Sequence, residues 1–123
     1  MTEEWKQLMA LARHEVEATL QSLPPPLRER ARQLPVTYEP WPSDALVEDG
    51  IAPDTLGLFV GGEFAEDTQA VLPAQIILFL ENIIDMVEGD EKELRAEIRT
   101  TLLHELGHYL GLNEDELFDR GLE

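Results

Sequence analysis

Two histidines and a glutamate in the run His104-Glu105-Leu106-Gly107-His108 are the residues of this chain whose types and spacing could do chemistry. On a helix turning about 100° per residue, positions 104 and 108 differ by only about 40° and sit one turn apart, so both imidazoles can converge on one metal ion. Residue 105 is rotated by about 100° from residue 104, which lets its carboxylate reach a water on the metal without taking a coordination position. Two nitrogen ligands and a neighbouring base on a rigid helix form half of a hydrolytic site. With the chain's own frequencies of His and Glu, roughly one such sequence in a hundred would carry this spacing by accident, so the short pattern is only a moderate signal.

The longer pattern is sharper. Gly111 and Glu114 follow at three-residue intervals, giving His104-Glu105-x-x-His108-x-x-Gly111-x-x-Glu114, which arises by chance nearer one time in 10,000. A glycine can adopt the left-handed conformation that turns the chain back, bringing a third ligand beneath the same ion. Glu114 is the first choice for that ligand and Asp115 the second, with His14 on the first helix an outsider. Gly111 is also an ordinary helix terminator whether or not metal is bound. Asn113 with Glu116 resembles a capping pair for a short last helix, in which Glu114 and Asp115 would only complement the helix dipole. His104 and His108 have a plain alternative too, as surface histidines on a polar stripe shared with Glu97 and Thr101. With no cysteine in the chain, any metal must be held by nitrogen and oxygen.

The element that positions these residues begins at Asp90. Asp90 with Glu93 has the form of a helix N-cap, and Leu94, Ile98, Leu102, Leu106 and Leu110 recur every fourth residue, which predicts a helix of about 20 residues. At the other end, Trp5, Leu8, Met9, Ala12, Val16 and Leu20 predict an amphipathic helix from about Thr2 to Leu23, stopped by Pro24-Pro25-Pro26. A short helical piece through Leu27 to Leu34 follows, then a first strand at Val36-Thr37-Tyr38-Glu39. A long loop is expected from Trp41 to Thr55, placed to serve as a lid or to complete a cleft. Leu56 to Val60 reads as a second strand and Gln75 to Leu80 as a third, apolar on both faces, running into a short helix through Met86 that Gly89 ends. The expected fold is α+β: a small mixed sheet of three or four strands packed against helices, with the site helix near the C-terminus, in one domain spanning residues 1–123.

Composition narrows the function classes. The 123 residues fit one domain, and 43% apolar content argues for a folded chain. The net charge is −17, and between Arg32 and Lys92 there is no lysine or arginine against 13 acidic residues. Such a surface repels polyanions, so nucleic acid is excluded as a partner. Its plain reading is a solvated acidic face; its sharper reading is attraction of basic peptide segments. No apolar run approaches the roughly 20 residues that span a bilayer, and the acidic start Met1-Thr2-Glu3-Glu4 lacks the basic region of a secretory signal, so a cytoplasmic location is expected.

At residues 90–117 the chain resembles the zincin metallopeptidases, and its size and its order of helix, strands and site helix resemble the minimal zincin-like metallopeptidase family of bacteria. The resemblance implies a zinc ion held by His104 and His108, Glu105 as the general base, and Glu114 in the place where that family puts an acidic third ligand. It departs from the metzincins, which have a histidine where Glu114 stands and a later methionine turn; Met1, Met9 and Met86 all precede the motif. The function expected is hydrolysis of peptide bonds by a zinc-bound water that Glu105 activates. Tyr109 and Arg120 are the nearest groups by sequence that could steady the oxyanion, Tyr109 reading better as a packing residue. An exposed edge strand, Leu56 to Val60 or Gln75 to Leu80, could take up the substrate. Two other readings stand beside it: a non-catalytic zinc-binding interaction or regulatory module, and a hydrolase for non-peptide amides.

Overall fold

The computed structural model describes residues 2–61 and 74–111. Thr2 caps the first helix, α1 (Glu3–Gln21), its hydroxyl accepting the Trp5 N–H at 3.1 Å. The three-and-four spacing seen in the sequence puts Leu8, Ala12, Val16 and Leu20 on one buried face. Pro25 then starts α2 (Pro25–Ala31), since a first helical position needs no N–H and a fixed φ suits it. This helix begins two residues before the expected Leu27 and ends before Leu34.

Three strands form one mixed sheet among the described residues: β1 (Val36–Glu39), β2 (Gly57–Val60) and β3 (Gln75–Phe79), in the order β1-β3-β2. β1 runs parallel to β3, with Val36 opposite Ile76, and β2 runs antiparallel to it, with Leu58 opposite Ile77. β3 is therefore central and buried on both faces. Ile76 and Leu78 join the core shared with the helices, while Ile77 and Phe79 join Leu46 and Val60 on the opposite side. A strand read as apolar on both faces thus meets a packed layer on each.

The expected long loop contains a helix instead, α3 (Asp44–Glu48), capped by the Ser43 hydroxyl, which accepts the Leu46 N–H at 3.3 Å. Five residues give no room for a periodic signal, and only the Ser43-x-x-Leu46 spacing hints at the cap. Leu46 and Ile51 pack on Val60, Ile77 and Phe79, so this stretch seals the sheet's far face and is not a lid over the site helix.

Residue 80 also departs from expectation, because β3 passes directly into α4 (Leu80–Met86). The junction is tied down by Glu81 N–H to the Pro40 carbonyl at 3.1 Å, and by the Asn82 amide, which donates to the Pro53 and Thr55 carbonyls at 2.8 and 3.0 Å. Gly89, with φ of 79°, closes the turn after α4 as its N–H bonds the Ile84 carbonyl.

The last described helix, α5 (Glu91–Leu110), is the structural axis. Asp90 caps it through Glu93 N–H at 2.9 Å, as the sequence predicts, and Gly111 ends it at φ 74°. Ile98 and Leu102 are wholly buried, and each contributes about 2 kcal/mol by leaving water. The helix is covered by α1, α2 and α4 and by β2 and β3, so its buried residues spread well beyond one stripe. None of the described helices is long and apolar enough to cross a membrane.

Candidate metal centre

The C-terminal half of α5 carries the motif, and helical geometry does with it what the spacing requires. The rings of His104 and His108 lie 4.7 Å apart between centroids, tilted by 54°. Both are reachable from solvent: His108 is exposed and His104 half-buried. Of the two residues that would share a surface stripe with the histidines, Thr101 is buried and Glu97 half-buried.

Glu105 is only 8% exposed, which is unusual for a carboxylate and must be compensated. Its Oε1 accepts the backbone N–H of Phe59 in β2 at 2.9 Å. Its Oε2 lies 3.9 Å from His104 Nε2, beyond hydrogen-bond range but within electrostatic reach. Burial pushes the Glu105 carboxyl above the ordinary carboxylate value, opposed by His108, the Phe59 N–H and His104. Desolvation outweighs the three favourable contacts together, so this is a carboxylate poised toward accepting a proton.

The Phe59 amide is available for a reason set by strand register. Phe79 N–H donates to the Leu56 carbonyl at 2.9 Å, so the hydrogen-bonded pairs of the antiparallel ladder fall at Leu56, Leu58 and Val60. The N–H groups of Gly57 and Phe59 therefore turn away from β3, and that of Phe59 meets Glu105 of α5. Gly57 permits the close approach: a Cβ there would lie 2.5 Å from Thr101 Cγ2 and 3.4 Å from Glu105 Cγ. A glycine isolated among Leu56, Leu58 and Phe59 was a legible sign of such contact. The Glu105–Phe59 bond joins residues 46 apart and left no trace in the sequence.

Tyr109 packs edge-on against Phe59, with 5.6 Å between ring centroids, and is a core-side residue facing the strand. His14 is exposed on α1. Glu114, Asp115, Asn113, Glu116 and Arg120 lie outside the described residues. Among the described residues no three potential metal-ligating side chains come together. What α5 offers is two convergent imidazoles with no thiolate, a donor set that suits a borderline ion such as zinc and leaves further positions to be filled. Of the two strands that could take up an extended peptide, β3 is excluded because it is central; β2 stands at the end of the sheet beside α5 among the described residues.

A family model described as zincin-like metallopeptidase matches residues 31–122, which includes all three strands and α5 and leaves out α1. No curated protein matches the chain.

Proposed function

The chain belongs to the zincin-like metallopeptidase family, and from that premise we propose that it is a zinc-dependent peptidase whose metal is held by His104 and His108, with Glu114 as the third ligand. The observation that supports this best is the convergence of two imidazoles beside a buried carboxylate on a neighbouring position of the same helix. Zinc in that place would supply a Lewis acid for the scissile carbonyl and acidify a bound water.

The chain's own residues do the rest. Glu105 takes the proton from the attacking water and delivers it to the leaving amine. Its Oε1 is anchored on the Phe59 N–H, which leaves Oε2 facing the histidine side. β2 receives the substrate as an added strand through outer-edge groups other than the Phe59 N–H, which Glu105 already takes.

The test begins with metal content. Protein purified without chelator should carry about one zinc per chain, and the His104→Ala/His108→Ala protein should carry none. Zinc-dependent cleavage of an unfolded protein substrate should then be lost in Glu105→Gln; cleavage that persists in that variant overturns the reading. One observation favours the non-catalytic module instead: Glu105 Oε1 is already engaged in joining β2 to α5, a purely structural use. That reading expects zinc and peptide capture without turnover.

A further inference from the structure

Beside the histidines, between the start of β2 and α5, runs a groove of about 410 Å³ lined by Leu56, Gly57, Glu97, Thr100, Thr101, His104 and Glu105. Gly57 leaves its floor without a side chain. Thr101, itself buried, donates its hydroxyl to Glu97 Oε2 at 2.9 Å and so fixes one carboxylate at the groove's far end from the histidines, about two helical turns before His104. The groove does not stop there. A hollow of about 300 Å³ shares Glu97 and Thr100 with it and adds Glu93, and another of about 490 Å³ shares Leu56 and adds Asp54 and Asp85. Among the described residues, no lysine or arginine lines any of the three.

The arginines of α5 are turned the other way. Arg95 pairs with Glu15 of α1 at 3.6 Å and with Glu91 at 3.5 Å, and Arg99 donates to the Ser22 hydroxyl at 3.4 Å. One side of the helix thus meets α1 with its arginines, while the side that leads to His104 carries carboxylates over an apolar floor. A long side chain with an aliphatic stem and a cationic head fits this combination, the stem on Leu56 and the head at Glu97.

Resting on the peptidase reading above, we propose that this groove is the subsite for a lysine or arginine side chain flanking the scissile bond, and that Glu97 is the residue that selects it. The acidic hollows beyond would favour further basic residues on the same side of the substrate. Glu97→Gln is a clean probe, since the amide oxygen still accepts from Thr101 and only the charge is lost.

The experiment uses the zinc-loaded full chain and a set of otherwise identical alanine-rich peptides carrying Lys, norleucine or Glu at successive positions on each side of the cleaved bond, with cleavage and binding, by fluorescence anisotropy, both read. At one position Lys should exceed norleucine by about fivefold in kcat/KM and in affinity. That ratio should fall to about one in Glu97→Gln and shift toward the Glu peptide in Glu97→Lys. Cleavage with no charge preference at any position, or a preference that survives in Glu97→Gln, overturns the inference while the peptidase reading stands. Binding of the Lys peptide that Glu97→Gln abolishes, with no cleavage of any peptide, supports the groove and overturns the peptidase reading. Neither binding nor cleavage overturns both.

Discussion

Glu105 shows how a single residue can be costly to the fold and useful to the site. Its folded proton affinity lies above the ordinary carboxylate value because burial outweighs His108, the Phe59 N–H and His104. A carboxyl that binds its proton more tightly when folded favours folding at low pH, and that contribution is lost as pH rises from the ordinary value through the raised one. Where Glu105 is ionised, the metal-free protein buries a charge whose desolvation its three favourable contacts do not fully offset. Glu105→Gln keeps an acceptor for Phe59 and removes the charge, so it should raise the Tm of metal-free protein at pH 7 by about 3–5 °C. At pH 4 and below the difference should vanish; a variant no more stable than wild type at pH 7 would show that the contacts, not burial, dominate. The same change should lower zinc-dependent kcat by about 10²–10⁴-fold with zinc content unchanged. The juxtaposition of His104, Glu105 and His108 on one helix was legible from spacing alone, because helical periodicity is a local property. The restraint on Glu105 was not, because it comes from a strand 46 residues away.

At the scale of elements, the contact that matters is β2 against α5. It depends on Gly57 being bare: an alanine Cβ would meet Thr101 Cγ2 at 2.5 Å, closer than such atoms can approach. Gly57→Ala should cost about 1–3 kcal/mol in urea unfolding. Because one methyl is the obstacle, Thr101→Ser should recover part of that loss in the Gly57→Ala background, and strict additivity of the two changes would refute the proposed clash. The end of α5 rests on Gly111 at φ 74°, where any Cβ is strained. Gly111→Ala should cost about 1 kcal/mol, and Gly111→Asn less. If residues after Gly111 supply the third ligand, zinc affinity should fall with the alanine change more than with the asparagine. Elements with several turns or a clear alternation, α1, α5 and β1 to β3, could be read from the sequence within a few residues. The five-residue α3 could not, since its existence depends on Leu46 finding the sheet's far face, a tertiary fact.

The whole molecule is dominated by charge. It has 26 acidic residues against nine lysines and arginines, and its clearest ion pairs among the described residues are exposed ones such as Glu17 with Arg32 at 2.7 Å. Exposed pairs contribute little, whereas repulsion among so many carboxylates acts over the whole surface. Raising salt from 10 to 100 mM shortens the screening length from about 30 Å to about 10 Å, which weakens attraction and repulsion alike, and here the repulsion is the stronger of the two. Metal-free protein should therefore gain Tm as NaCl rises over that range; a fall would mean the ion pairs outweigh the repulsion. On the proposed reading zinc would act on the same balance, since a dication placed at His104 and His108 would lie next to the acid-lined groove. Saturating zinc at about 100 times its Kd should stabilise the fold by about 2.7 kcal/mol. If part of that affinity comes from the surrounding carboxylates, calorimetric titration should show zinc binding weakening as salt rises, while the gain from salt shrinks once zinc is bound. Zinc affinity independent of salt would mean that the ion feels only its direct ligands, and that the acidic face beside the site serves solubility alone.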